Sequence, residues 1–186
     1  MEAKAMGKHI LVLTGSPRQG GNSDLMADAF IRGAKSAGHQ VTKIETAQLK
    51  IGGCTACERC YSSGGACVQG DDFNQVAKAM EQADAIVFST PIYWFTFPTY
   101  LKAVIDKFYS FLIGEKRLPI RESMLLVCGE MEESSIFDGI INSYSQSISY
   151  MNWQDRGCFY VTGVCKKGDI LSTGSLAQIE EIAKQF

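Results

Sequence analysis

The sequence predicts one α/β domain with a five-stranded parallel sheet and helices on both of its faces. Apolar stretches of strand length alternate with stretches of helical periodicity. Neighbouring parallel strands need such crossover helices to bring the chain back to the same edge of the sheet. The length of 186 residues also fits a single domain. Residues 1–186 are therefore expected to form one unit.

Composition and charge exclude several classes of protein. Hydrophobic residues make up 46% of the chain and charged residues 20%, as in a folded protein rather than a disordered one. The net charge of −2 provides no basic surface for nucleic acid or an anionic membrane. No apolar stretch reaches the roughly 18 residues of a membrane span, and the segment Met1 to Lys8 is polar, unlike a signal peptide. We expect a cytoplasmic protein that binds neither nucleic acid nor a membrane.

The first elements follow from the hydrophobic pattern. His9 to Thr14 is almost entirely apolar, which predicts a strand buried on both faces. Ser23 to Ala37 places its apolar residues on one helical face and ends at Gly38, a residue suited to a helix C-terminus. Gln40 to Glu45 is a shorter, more polar strand that we place near a sheet edge. An irregular segment, residues 46–70, then holds four cysteines.

The central elements resume after this segment. A helix is predicted to begin at Asp72, which has capping-box spacing to Gln75. Ala85 to Ser89 is the next strand. Pro98 opens a further helix, whose apolar stripe extends to Leu112.

The last third of the chain continues the alternation. A strand is predicted at Met124 to Cys128, a helix from about Ser135, a strand at Cys158 to Val161, and a final helix at Leu176 to Phe186. Ligands of such sheets bind outside the carboxyl ends of the strands, where the strand order reverses. Function is therefore expected in the loops that follow the first, third and fourth strands.

The first of these loops has the features of a phosphate site. Gly15 to Ser23 reads GSPRQGGNS and lies between a buried strand and a helix N-terminus. Glycines permit a tight turn, the helix start carries partial positive charge, and Ser16, Asn22 and Ser23 offer hydrogen-bonding groups. The Walker A lysine is missing because Gly21 occupies its place, and the dinucleotide fingerprint is absent. The loop is therefore predicted to bind a phosphate group, but not that of a nucleoside triphosphate.

The second loop, Thr90 to Pro98, reads TPIYWFTFP and has four aromatic residues in five positions. Such a group at the end of a strand favours a flat, amphipathic ring as ligand. A third loop, Gly129 to Ser134, is expected beside it, so the three loops would enclose one site.

The two motifs together, in this order and on these strands, resemble the flavodoxin-like NAD(P)H-dependent FMN reductases and quinone reductases. The resemblance is strong from Ile10 to about Phe111 and covers only topology beyond. It implies a flavodoxin-like strand order of 2-1-3-4-5, FMN as cofactor, and NAD(P)H as co-substrate. Electrons would pass to a small acceptor such as a quinone, a flavin, or an azo or nitro compound. It also implies a homodimer or homotetramer.

The resemblance assigns FMN to residues of all three loops. The phosphate would lie on the first loop, the ring against the second, and the third would close the far edge. The chemistry would belong to the cofactor, so no catalytic side chain is named. The residues assigned to FMN are Ser16, Arg18, Gln19, Gly21, Asn22, Ser23, Pro91, Ile92, Tyr93, Trp94, Phe95, Gly129 and Glu130.

The four clustered cysteines have the spacing C-x2-C-x2-C-x6-C at Cys54, Cys57, Cys60 and Cys67. The first three resemble the cluster-binding sequences of bacterial ferredoxins, although the last spacing is longer and Val68 replaces the usual proline. Zinc sites more often place a longer arm between two C-x2-C pairs. The pattern also resembles iron–sulfur flavoproteins, which implies a [4Fe–4S] cluster that relays electrons from ferredoxin to FMN.

A second interpretation of the same cysteines stays open, because related reductases have similar cysteines without a cluster. They would then act in packing or as redox-sensitive thiols. The other three cysteines, Cys128, Cys158 and Cys165, are expected to be buried small hydrophobic residues.

Overall fold

The structure, a computed structural model, describes residues 7–186. Residues 1–6, which contain most of the polar segment noted above, lie outside this part. Five parallel strands form one sheet in the order β2-β1-β3-β4-β5, which confirms the predicted fold class and strand order. The strands are β1 (His9–Thr14), β2 (Gln40–Glu45), β3 (Ala85–Pro91), β4 (Glu122–Cys128) and β5 (Gln154–Val161).

Helices cover both faces of the sheet. The α-helices are α1 (Asn22–Ser36), α2 (Phe73–Met80), α3 (Thr99–Asp106), α4 (Tyr109–Ile113), α5 (Asp138–Tyr150) and α6 (Ser175–Lys184). Short 3-10 helices occur at Thr46–Gln48, Ser134–Phe137 and Asp169–Ser172. No helix within residues 7–186 is both long enough and apolar enough to cross a membrane.

The alternation of side chains along the strands creates two hydrophobic cores. Ile10 and Val12 of β1 face the core under α1 and α6. Leu11 and Leu13 face the opposite core, which contains residues of α2, α3, α4 and α5. The central strands are buried almost throughout, whereas the edge strands β2 and β5 are largely half-buried or exposed. The exposure of the edge strands explains the polar sequence of β2 and of the first half of β5. The hydrophobic pattern did not predict that first half of β5.

Two local predictions were wrong. The capping box at Asp72 does not form, because the carboxylate accepts a hydrogen bond from the backbone N–H of Lys50 (2.7 Å) instead. The helix predicted from Pro98 to Leu112 is divided into α3 and α4. At the break Lys107 is buried, while Leu112, which the helical stripe placed inside, is exposed.

Candidate functional site

A cleft with about 730 Å³ of empty space, including its open mouth, lies at the carboxyl ends of the central strands. The lining residues come from the loops after β1, β3, β4 and β5. They are Ser16, Arg18, Gly21, Asn22, Ser23, Pro91, Ile92, Tyr93, Cys128, Gly129, Glu130, Val164, Cys165 and Lys167.

The phosphate loop (residues 15–23) is held by its own hydrogen bonds. The backbone N–H of Arg18 donates to Ser16 Oγ (3.1 Å), and that of Gly21 donates to the carbonyl of Arg18 (3.0 Å). The N–H of Gly20 donates to Asp24 Oδ2 (2.7 Å). A Cβ on Gly21 would lie 2.8 Å from the Arg18 carbonyl oxygen, so the turn requires glycine there. The loop is therefore shaped before any ligand arrives.

The start of α1 leaves room for an anion. Its N-cap residue is Gly21, so no side chain caps the first-turn N–H groups, which carry the partial positive charge of the helix end. The acidic Asp24 lies in this first turn, but Lys43 pairs with it at 2.6 Å and offsets its charge. Burial by itself would lower the pKa of Lys43, yet hydrogen bonds to Asp24 and Asp28 outweigh burial and raise it. The free N–H groups of the first turn of α1 therefore fit a phosphate monoester.

The aromatic loop after β3 is a tight reverse turn. Tyr93 and Thr96 exchange both backbone hydrogen bonds (3.0 and 3.1 Å). Between them Trp94 (φ 47°) and Phe95 (φ 65°) both adopt the left-handed conformation, as in a type I′ turn. Side chains other than glycine and asparagine rarely occupy these positions, and such strain is concentrated at functional sites. The turn holds Trp94 in solvent, with 91% of its surface exposed.

The third loop packs closely against the second. A Cβ on Gly129 would lie 2.9 Å from Ile92 Cγ2 and 3.0 Å from Ile136 Cδ1. The Ile92 N–H donates to the carbonyl of Cys128 (2.9 Å), and the Gly129 N–H donates to that of Val161 (3.0 Å). Glycine at this position lets the two loops meet and form a continuous apolar wall.

The structure brings ten of the thirteen residues assigned to FMN into this cleft. Gln19 is exposed outside it. Trp94 and Phe95 instead line an adjoining groove, which shares Ile92 and Glu130 with the cleft and also includes Met131 and Ile136.

The loop after β5 supplies residues that the sequence reasoning missed, among them Val164, Cys165 and Lys167. The rule that ligands bind at the carboxyl ends of strands could have pointed to this loop, but its sequence has no recognisable motif. Cys165 was expected to be buried and is exposed. A hydrogen bond to Glu130 and the negative charge of that carboxylate raise the pKa of its thiol.

The other two isolated cysteines lie deeper. Cys128 is buried as predicted, and burial raises the pKa of its thiol to about 12. Cys158 is half-buried rather than buried, and burial followed by the charge of Asp155 raises its pKa to about 12.

The cysteine loop (residues 49–72) forms a second, smaller cavity. Cys54, Cys57, Cys60 and Cys67 all line it, together with Lys107. All seven cysteines of the chain are free thiols. Within residues 7–186 no three His, Cys, Asp or Glu side chains are close enough together to hold a single metal ion.

The backbone of this loop is strained next to its cysteines. Ala56, Glu58 and Tyr61 have positive φ values of 50°, 56° and 59°. The exposed thiol of Cys57 has a lowered pKa, since it accepts hydrogen bonds from the Arg59 backbone N–H and then from Thr55.

The pKa of Cys60 is shifted in the opposite direction to that of Cys57. Burial raises the pKa of its thiol, and negative charge on Cys67, Cys57 and Cys54 raises it further. All four cysteines line the same cavity. Four cysteine sulfurs are the donor set that an iron–sulfur cluster uses.

Comparison with known proteins identifies the family of the chain. Residues 9–129 match the family described as NADPH-dependent FMN reductase. This segment contains the phosphate loop, the aromatic loop and the four clustered cysteines.

Several curated relatives share part of the sequence. An iron–sulfur flavoprotein of Archaeoglobus fulgidus is 34% identical over 95 residues, which are 51% of this chain and 43% of the relative. One of Methanosarcina thermophila is 29% identical over 112 residues, 60% of this chain and 57% of the relative. The chain thus spans about half the length of these relatives. YwqN of Bacillus subtilis, named as an NAD(P)H-dependent FMN-containing oxidoreductase, is 24% identical over 87% of this chain and 88% of its own.

Solved structures share the whole architecture. The NAD(P)H:quinone oxidoreductase from Methanothermobacter marburgensis superimposes with a TM-score of 0.76 over 96% of both chains, at 18% identity. At that identity the similarity shows the fold.

Proposed function

The chain belongs to the NADPH-dependent FMN reductase family, and on that basis we propose that it is an oxidoreductase with FMN as cofactor. It takes electrons from NADPH or NADH and passes them to a small acceptor such as a quinone, a free flavin, or an azo or nitro compound. The observation that carries this proposal is the single cleft in which the uncapped start of α1 adjoins an apolar wall.

The phosphate end of FMN would be bound by the phosphate loop. Arg18 lies at the cleft, and among residues 7–186 its side chain has only a long contact (3.5 Å) from Nη1 to the Cys165 carbonyl, so its charge remains available. Ser16 and Ser23 line the same cleft. Because the loop is already shaped by its own hydrogen bonds, little ordering of the chain would accompany binding.

The ring would lie along the apolar wall. Ile92 and Cys128 provide carbon and sulfur surface there, and Gly129 lets the wall close without a gap. When bound, FMN supplies hydride acceptance and subsequent electron donation. The protein orients the ring and leaves one side open, so it needs no acid, base or nucleophile of its own.

The adjoining groove is suited to binding a planar acceptor. Trp94 and Phe95 are held outward by the strained turn, next to Ile92 and Glu130, which border the cleft. Exposed aromatic faces of this kind stack with flat molecules. The nicotinamide and the acceptor would use this groove in turn.

The experiment is an absorption spectrum of the protein purified without oxygen, before and after addition of NADPH or NADH. Flavin bands that bleach with either nucleotide support the proposal. A bound flavin that stays oxidised with both contradicts it. Arg18→Gln should reduce the FMN content of the purified protein, whereas Arg32→Gln on the outer surface of α1 should leave it unchanged.

The cysteine cavity supports a second candidate function, which ranks below the first. The four thiols around it would hold a [4Fe–4S] cluster, and the protein would then relay electrons from ferredoxin to FMN. The names of the archaeal relatives support this role, while the family match names a reductase. The reductase therefore ranks first.

Iron and acid-labile sulfide, assayed after oxygen-free purification, test the cluster. About four of each per chain, lost in Cys57→Ala but kept in Cys158→Ala, would establish it. Their absence from the wild-type protein would leave the cysteines as thiols.

We also propose a homodimer or homotetramer in the cytoplasm. Support for assembly comes from exposed aromatic side chains, among them Trp94, Phe95, Tyr100 and Tyr160. Phe97, Phe108 and Phe111 are buried in the core instead. Seven free thiols are compatible with a reducing compartment. Light scattering that gives a 20 kDa particle with FMN bound would contradict the assembly.

A further inference from the structure

Lys167, in the loop between β5 and α6, lies against the phosphate loop. A Cβ on Gly20 would lie 3.1 Å from Lys167 Cε and 3.2 Å from its Nζ. The bare backbone of Gly20 therefore leaves the space that the end of this lysine uses. Lys167 also lines the same cleft as Ser16 and Arg18.

Asn22 fixes the position of this loop. Its Nδ2 donates to the carbonyl of Lys166 (3.0 Å), and its Oδ1 accepts from the backbone N–H groups of Gly168 (3.1 Å) and Ile170 (3.3 Å). The side chain thus holds the residues on both sides of Lys167. Oδ1 accepts two hydrogen bonds and has no capacity left, and Nδ2 donates one of its two hydrogens. Asn22 therefore retains one Nδ2 hydrogen for another partner.

The charges on the two sides of the phosphate loop match a phosphate monoester. Within residues 7–186 neither Arg18 nor Lys167 takes part in an ion pair. A phosphate monoester carries a charge of about −1.5 to −2 at neutral pH. Two cations and the start of a helix together balance such a group, and charge-assisted hydrogen bonds are the strong ones.

We propose that Lys167 is a second cationic ligand of the flavin 5′-phosphate, positioned by Asn22, and that it makes the site selective for FMN over riboflavin. The proposal rests on the proposed function, since it takes FMN as the occupant. Lys167 is a binding residue and Asn22 a positioning residue.

The experiment compares Lys167→Gln with Lys166→Gln in titrations of FMN and riboflavin onto the apoprotein, followed by flavin fluorescence. Both variants remove one exposed charge from neighbouring positions, but Lys166 does not line the cleft. We expect Lys167→Gln to weaken FMN binding by about tenfold or more, as for loss of a hydrogen bond to a charged group. Lys167→Gln should change riboflavin affinity by less than about twofold. Lys166→Gln should change neither FMN affinity nor riboflavin affinity by more than about twofold.

The outcomes separate this inference from the proposed function. If wild-type protein binds no FMN, the proposed function fails. If wild-type protein binds FMN, the proposed function stands. The role of Lys167 is then refuted if Lys167→Gln lowers the affinities for FMN and riboflavin equally, or lowers neither. It is also refuted if Lys167→Gln lowers FMN affinity no more than Lys166→Gln does.

Asn22→Ala tests the positioning. If Asn22 holds Lys167 in place, Lys167→Gln should weaken FMN binding less than about threefold in the Asn22→Ala background. The full tenfold loss in that background would refute the positioning role. Thermal unfolding of each variant confirms that it is folded.

Discussion

The phosphate loop and the cysteine loop are both irregular segments, but they are held in different ways. The phosphate loop is short and is shaped largely by hydrogen bonds between its own residues and the adjoining turn of α1. The cysteine loop is long and largely exposed, and distant residues hold it. The conformation of a loop shaped from within can be predicted from its own sequence, whereas the conformation of a loop held by residues outside it cannot.

The external supports of the cysteine loop lie at its base. The buried ammonium of Lys107 pairs with Asp71 (2.5 Å) and donates to Gln69 (3.1 Å). The Cys67 N–H donates to Asn74 Oδ1 (2.8 Å), and Asn74 Nδ2 donates to the Cys67 carbonyl (3.0 Å). The cavity lined by the four cysteines therefore depends on contacts with α2 and on Lys107, the residue that follows α3.

The largest expected effect comes from removing the charge under the cysteine loop. Lys107→Met leaves Asp71 partly buried without its partner, which should lower the free energy of unfolding by about 3–5 kcal/mol. Lys102→Met, which breaks an exposed ion pair with Asp106 on the same helix, should lower it by less than about 1 kcal/mol. Urea unfolding measures both, and equal losses would contradict the comparison.

The next effect concerns the phosphate loop. Gly21→Ala forces the new Cβ against the Arg18 carbonyl, at a strain of about 1–3 kcal/mol, so FMN affinity should fall by about tenfold. Gly53→Ala, in the cysteine loop, places its Cβ more than 4 Å from any other atom of residues 7–186 apart from its chain neighbours, and it should leave FMN affinity unchanged. Titration with FMN measures the contrast, and a tolerated alanine at position 21 would show that the loop adapts.

A smaller effect is expected from pH. Burial by itself would raise the pKa of Asp71, but the hydrogen bond from Lys107 and those from the N–H groups of Gly52 and Phe73 outweigh burial and lower it. A lowered folded-state pKa contributes stability above the unfolded-state pKa, and this is lost as the pH falls through the folded-state value. Wild-type protein should lose more stability on acidification than Asp71→Asn, as urea unfolding at pH 6, 4 and 3 would show. Parallel losses would contradict this.

The smallest effect separates two thiols of the cysteine loop. Cys57 has a lowered pKa and Cys60 a raised one. In metal-free protein at pH 7.5, iodoacetamide should therefore alkylate Cys57 at least about threefold faster, because the thiolate is the reactive form. Mass spectrometry of timed digests follows both sites. Faster modification of Cys60 would mean that the loop is arranged differently in solution.

Prediction from sequence succeeded where the signal was local. The strands His9–Thr14 and Gln40–Glu45 have the predicted bounds, because a continuous apolar stretch or a short polar one reflects the burial of each strand. It failed where a distant contact decided the outcome, as at Asp72, whose carboxylate bonds to Lys50 rather than to its own helix.

The sequence by itself determined the parallel sheet, the position of the cleft and the two motifs on its rim. Apolar periodicity, a glycine turn and a helix start act over a few residues and can be recognised there. Only the tertiary structure decided that Lys167 joins the site, because Asn22 reaches the β5–α6 loop across 146 positions of sequence. It also decided that Trp94 faces solvent and that Lys107 is buried under the cysteines. Such contacts depend on how the helices dock on the sheet, and no local pattern encodes that.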